Sequence, residues 1–176
     1  MNDCQSVFIT SHGGPEVLEL RSASISDPNE NEVTVEVKFS GINFADIMSR
    51  MGLYTTKLKP PYRIGMEIAG VVVKAGSDQY SSMIGKTVVG MCRSGGYSTH
   101  VNVPAEQLFI IDDKWQSVSA AIPVNYLTAY FMMIHQGSLR QDETILIHGI
   151  GGGVGIAALQ IAKKIGASVI GTASGG

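Results

Sequence analysis

The chain has 176 residues, 44% of them apolar and only 16% charged, which is enough apolar content to bury a sizeable core and excludes wholesale disorder. Thirteen Lys and Arg against fifteen Asp and Glu leave a formal charge of −2, so the chain carries no electrostatic footprint for nucleic acid or an anionic membrane. Cys4 and Cys92 form neither a CxxC nor a metal spacing nor a disulfide framework, which suits a reducing cytoplasm, and the opening MNDCQSVFIT does not read as a secretory signal.

The first part of the chain reads as short strands. Ser6–Thr10 and Val17–Leu20 flank Gly13, Gly14 and Pro15, which predicts a hairpin. Val33, Val35, Val37 and Phe39 alternate with polar neighbours, the period of a half-buried strand. A short helix is expected around Phe44–Met51, and strands at Ile68–Val73, Thr87–Gly90, Tyr97–Val103 and Gln107–Ile111. Glycine turns between them point to a barrel-like β domain, placed at residues 1–122.

The character changes over 123–176. Pro123 fits the start of a helix running through Val124–His135. Thr144–Ile147 is a continuous apolar run, as in a strand buried on both faces. A helix is expected at Gly153–Ile165, with Ile156, Leu159 and Ile161 facing the sheet and Gly166 as its left-handed cap. Ser168–Thr172 completes a βαβ unit. The stretch 144–162 is apolar over nearly a membrane-spanning length, but its central glycines read as a turn between two buried elements. One βαβ unit leaves its strands without neighbours, so the expectation is a fragment of a larger fold, or a chain completed by a partner.

The turn Gly149-Ile150-Gly151-Gly152-Gly153-Val154-Gly155 lies between a strand and a helix, where free N–H groups and the helix dipole attract phosphate. Glycine at 152 lets the backbone approach a diphosphate, and glycine at 155 lets helix and strand pack closely. Ile150 takes the place of the first glycine of GxGxxG, while the spacing Gly149-x-x-Gly152-x-x-Gly155 is satisfied. The end of the second strand, Gly171-Thr172-Ala173-Ser174, has no carboxylate to hold a ribose 2′-hydroxyl. That favours NADPH over NADH, with Thr172 and Ser174 beside the 2′-phosphate; the plainer reading is that they only end a strand.

Gly41-Ile42-Asn43-Phe44-Ala45-Asp46, Gly65-Met66-Glu67-Ile68-Ala69-Gly70, Asn125-Tyr126-Leu127-Thr128-Ala129-Tyr130 and the glycine turn appear in the order of a known family. The chain resembles the zinc-independent quinone oxidoreductase branch of the medium-chain dehydrogenase/reductase superfamily, which also contains the vesicle amine transport protein and zeta-crystallin-like groups. The resemblance implies an α/β protein, a GroES-like β domain followed by the beginning of a Rossmann doubly wound parallel sheet, truncated here. It also implies a homo-oligomer formed through the Rossmann domain at full length. Zinc-dependent relatives carry cysteine where this chain has Asn43 and histidine where it has Met66, so no metal site is expected.

By the same resemblance, Asn43 and Thr128 contact the nicotinamide end of the cofactor. Gly152, Gly153, Val154 and Gly155 serve the diphosphate. Asn43 and Tyr54 are the candidate catalytic residues: the Tyr54 phenol either orients the acceptor oxygen or merely packs on the barrel. Asp46 either supports Asn43 or caps the helix at 44–51. The implied chemistry is hydride transfer from NADPH to a quinone or an α,β-unsaturated carbonyl, a small-molecule reaction in the cytoplasm with no integral membrane segment. Two alternatives are a non-catalytic NADPH-binding structural or interaction protein of the same fold, and an enoyl-thioester reductase of a polyketide-type pathway.

Overall fold

A computed structural model describes residues 2–54 and 58–175. The chain divides into two compact units, Met1–Pro123 and Val124–Gly176. The first contains β1 (Asn2–Ile9), β2 (Leu18–Ile25), β3 (Glu32–Ser40), α1 (Phe44–Arg50), β4 (Tyr62–Arg63), β5 (Glu67–Ala75), β6 (Thr87–Met91), β7 (His100–Pro104), β8 (Leu108–Ile110) and the single turn α2 (Gln116–Ser119). Its strands form two antiparallel sheets, one ordered β7-β3-β5-β6-β8 and one ordered β2-β1-β4. The segment before β7 ties them together: Val7 N–H donates to Tyr97 O at 2.9 Å, Thr99 N–H to Gln5 O at 2.8 Å, and the buried Ser6 hydroxyl to Ser98 Oγ at 2.7 Å.

Branched aliphatics fill this unit because a pleated, buried surface suits them. Val33, Val35, Ile68, Val72, Val88, Val101 and Val103 form the main cluster, and Ile9, Val17 and Ile64 a second one under the smaller sheet. The alternation read from β3 holds at Val33, Val35 and Val37, which pack into the core, and fails at Phe39. The extra residue at the shift between Thr34 and Val35 is Val73 of β5, so β3 keeps its phase there; at the shift between Val37 and Phe39 it is Lys38 of β3 itself, and Phe39 is 43% exposed. An extra residue in one strand of a pair flips the phase of every side chain after it.

The second unit contains α3 (Pro123–Tyr130), β9 (Thr144–His148), α4 (Gly153–Ile165) and β10 (Ser168–Thr172). The helix expected to run to residue 135 is α-helical only as far as Tyr130; Phe131–Gln136 widens into a π-helical turn. β9 and β10 pair in parallel, Thr144 with Ser168 through His148 with Thr172. The apolar stretch 144–162 is thus a strand, a turn and most of a helix, and among the described residues no single helix is long and apolar enough to cross a membrane. Gly166 ends α4 at φ 94°, where its N–H bonds back to Ala162 O.

One expectation for α4 is corrected. Ile161 packs against the core, but Ile156 is 45% exposed, and the face that is buried carries Gly155, Ala157, Ala158 and Ala162. Small side chains let the helix axis approach β9 closely, where a row of isoleucines would hold it away.

Candidate functional site

The glycine turn combines one very tight position with open ones. A Cβ at Gly155 would lie 2.4 Å from Gly149 O and 2.7 Å from Ile150 Cα, so only glycine lets α4 begin there. A Cβ at Gly151 would meet nothing within 4 Å. Gly149 sits at φ 66°, in the left-handed region. Gly152 is the N-cap, extended at φ −79° and ψ 167° with no side-chain cap, and the first intrahelical bond runs from Ile156 N–H to Gly152 O at 2.8 Å. The N–H groups of Gly153, Val154 and Gly155 precede that bond and point out of the helix end. Bare amides, a positive dipole end and space for backbone approach together fit a dinucleotide diphosphate. Asn125, on α3, reaches the same place: a Cβ on Gly153 would lie 2.5 Å from Asn125 Oδ1.

The turn is anchored to the end of β10. Ile150 N–H donates to Thr172 O at 3.0 Å, and the Ile150 side chain lies over Gly171, where a Cβ would come within 2.4 Å of Cδ1. Thr172 is exposed, and its Oγ1 lies 2.9 Å from His148 Nδ1. Ser174 is exposed beyond the strand, and Thr128 is exposed on α3.

In the first unit Asn43 and Asp46 meet Glu67 and Tyr97 in a buried polar cluster, and among the described residues no hydrogen bond joins Tyr54 to it. Asn43, the N-cap of α1, is 7% exposed; its Nδ2 donates to Glu67 Oε1 at 2.7 Å, and Glu67 is fully buried. Asp46 Oδ2 accepts the Asn43 backbone N–H at 2.9 Å and the Tyr97 hydroxyl at 2.8 Å. Asp46 therefore caps the helix and at the same time fixes the backbone that carries Asn43. Gly41 is required beside this cluster, since a Cβ there would lie 2.1 Å from Glu67 Oε1 and 2.6 Å from Ala120 O. Tyr54 is half-buried in the loop after α1.

Burial governs the electrostatics. It lifts the Asp46 carboxyl above the ordinary aspartate value, against the opposing hydrogen bonds from Asn43 and Tyr97. The Cys92 thiol is pushed up to about 12, first by burial and then by the charges of Asp46 and Glu67. The Tyr97 phenol is raised in the same way, with its bond to Asp46 adding to burial. The Cys92 thiol and the Tyr97 phenol stay neutral at ordinary pH. Among the described residues no group of three or more His, Cys, Asp or Glu is placed to hold a metal ion.

The sequence marks neither Tyr97 nor His148 as a site residue. Tyr97 is placed beside Asp46 by backbone bonds to Val7 of β1 and to Ile64, pairings with no local signal. His148 was readable as the last residue of a strand whose neighbour ends in Thr172, and the parallel register follows from the βαβ unit.

Comparison with known proteins places these features in context. Residues 29–113 match the alcohol dehydrogenase GroES-like domain. The synaptic vesicle membrane protein VAT-1 homolog of Rattus norvegicus is 39% identical over 172 residues, covering 96% of this chain and 43% of the relative. The quinone oxidoreductase of Sus scrofa is 35% identical over 171 residues, covering 96% of this chain and 52% of the relative. The crystal structure of Escherichia coli quinone oxidoreductase complexed with NADPH matches with a TM-score of 0.89 at 37% identity, covering 97% of this chain and 53% of that one. The chain spans about half the length of the curated relatives it matches.

Proposed function

We propose that the chain, which is similar to quinone oxidoreductases and carries a match to the alcohol dehydrogenase GroES-like domain, binds NADPH and serves the reduction of a quinone or an α,β-unsaturated carbonyl. The observation that carries this reading is the N-terminus of α4, which has no side-chain cap and follows the open turn at Gly151, above the closed contact at Gly155. When bound, NADPH supplies the hydride. The N–H groups of Gly153, Val154 and Gly155 hold the diphosphate, and Gly152 leaves the backbone bare for its approach. Thr172 and Ser174 take the 2′-phosphate end, where a carboxylate would repel it. Thr128 is assigned to the cofactor and Tyr54 to the acceptor oxygen.

Asn43 is assigned to the reacting end, with its amide oriented by Glu67 and its backbone by Asp46. An amide and the thioether of Met66 are poor ligands for zinc, which supports a metal-independent reaction. Charge developing on the acceptor oxygen is then met by positioned donors, of which the Tyr54 phenol is one. The free thiols of Cys4 and Cys92 fit a cytoplasmic setting.

Titration of the chain with NADPH, followed by calorimetry, tests the cofactor reading: saturable binding is expected, and absence of binding removes it. The similarity to proteins named as VAT-1 homologs and not as oxidoreductases supports a second reading, a protein that binds NADPH without turnover. The complete protein, given NADPH and a panel of quinones and enones, separates the two by whether absorbance at the reduced-nicotinamide band falls.

A further inference from the structure

Resting on the reading that the end of β10 receives the 2′-phosphate of NADPH, we propose that His148 is a positioning residue that makes Thr172 a hydrogen-bond donor to that phosphate. The two residues face each other at the last pair of the parallel register, with His148 Nδ1 2.9 Å from Thr172 Oγ1. A threonine hydroxyl has one proton and two lone pairs, and a neutral imidazole has one N–H and one bare nitrogen. If the proton is on Nδ1, the ring donates to Oγ1 and the hydroxyl proton is free to turn outward to an anion. If Nδ1 is bare, the hydroxyl proton is spent on the ring, and Thr172 shows the phosphate only lone pairs, which repel it.

A 2′-phosphate bound at Thr172 therefore selects the form of His148 that carries N–H on Nδ1. The neighbouring backbone keeps this pair in place. Thr172 O accepts the Ile150 N–H at 3.0 Å, and Ile150 is seated over Gly171. The hydroxyl is thereby held at a fixed offset from the glycine turn that takes the diphosphate. Both side chains are exposed, so an incoming ligand reaches them directly.

The test compares binding of 2′,5′-ADP and 5′-ADP, which differ only in the 2′-phosphate, to the chain and to three variants. The wild type is expected to prefer 2′,5′-ADP. Thr172→Val and His148→Ala are each expected to cut that preference by about tenfold, the scale of a hydrogen bond to a charged group. His148→Asn, whose amide N–H falls near the place of Nδ1–H, is expected to keep most of it. Nitrogen-15 spectra of the imidazole should show Nδ1 protonated in the 2′,5′-ADP complex. If His148→Ala keeps the wild-type preference while Thr172→Val loses it, or if Nδ1 is bare in the complex, the positioning role is overturned and the cofactor reading stands. If the wild type binds both nucleotides equally, the 2′-phosphate assignment and this role fail together; if it binds neither, the NADPH reading fails as well.

Discussion

Asn43 carries two jobs in one side chain and its own backbone. Its amide satisfies a buried carboxylate, and its N–H is held by another. Asn43→Ala removes a hydrogen bond to Glu67, which is fully buried, and is expected to lower unfolding free energy by about 2 kcal/mol. Urea denaturation followed by circular dichroism measures it. Asp46 makes a second prediction, one of pH. Its folded pKa is raised by burial, so the native state holds a proton that the unfolded chain has already released. The associated stability is complete below the ordinary aspartate value and is lost as pH rises through the raised one. Wild-type denaturation midpoints should fall across that window, and Asp46→Asn should flatten the slope; an unchanged slope would show that Asp46 is not its source.

At the scale of elements, α4 makes binding and stability separable. Gly152 has the extended backbone of an N-cap and no capping side chain. Gly152→Asp supplies one, worth a few tenths of a kcal/mol or about that over glycine. The same carboxylate stands where the diphosphate is assigned and should weaken NADPH binding by about tenfold or more. Thermal unfolding and calorimetric titration of the one variant should therefore move in opposite directions. The bounds of α4 and β10 could be read from the sequence because glycines mark both ends of the helix and a βαβ unit has a strict rhythm. β4 could not, since Tyr62 and Arg63 follow two prolines and pair with β1 at only Phe8 and Ile9. The bulge at Lys38 in β3 was equally silent: Phe39 continues the alternation in the sequence and leaves the core in the fold.

For the whole molecule, the α/β unit leaves one paired apolar face uncovered. In the α/β unit, Leu146 and Ile170 are register partners and are 54% and 57% exposed, on the face of β9 and β10 away from Ile147 and α4. A paired apolar face of this kind drives association. Sedimentation velocity of the chain should show mass rising with concentration, and the double substitution Leu146→Glu with Ile170→Glu should shift it toward the monomer. The order of elements and the glycine turn were legible because both are local in the chain. The Asn43–Glu67 and Asp46–Tyr97 bonds were not, because each joins residues that only the completed sheets bring together.

The crowding at Gly155 also sets which letters of the turn are free to vary. Any side chain there collides with the main chain of Gly149 and Ile150, whereas Gly151 faces empty space. A mutagenesis library aimed at exchanging the cofactor should hold 155 constant and diversify 151 and 172. Clones that survive selection are then expected to be drawn from those two positions alone.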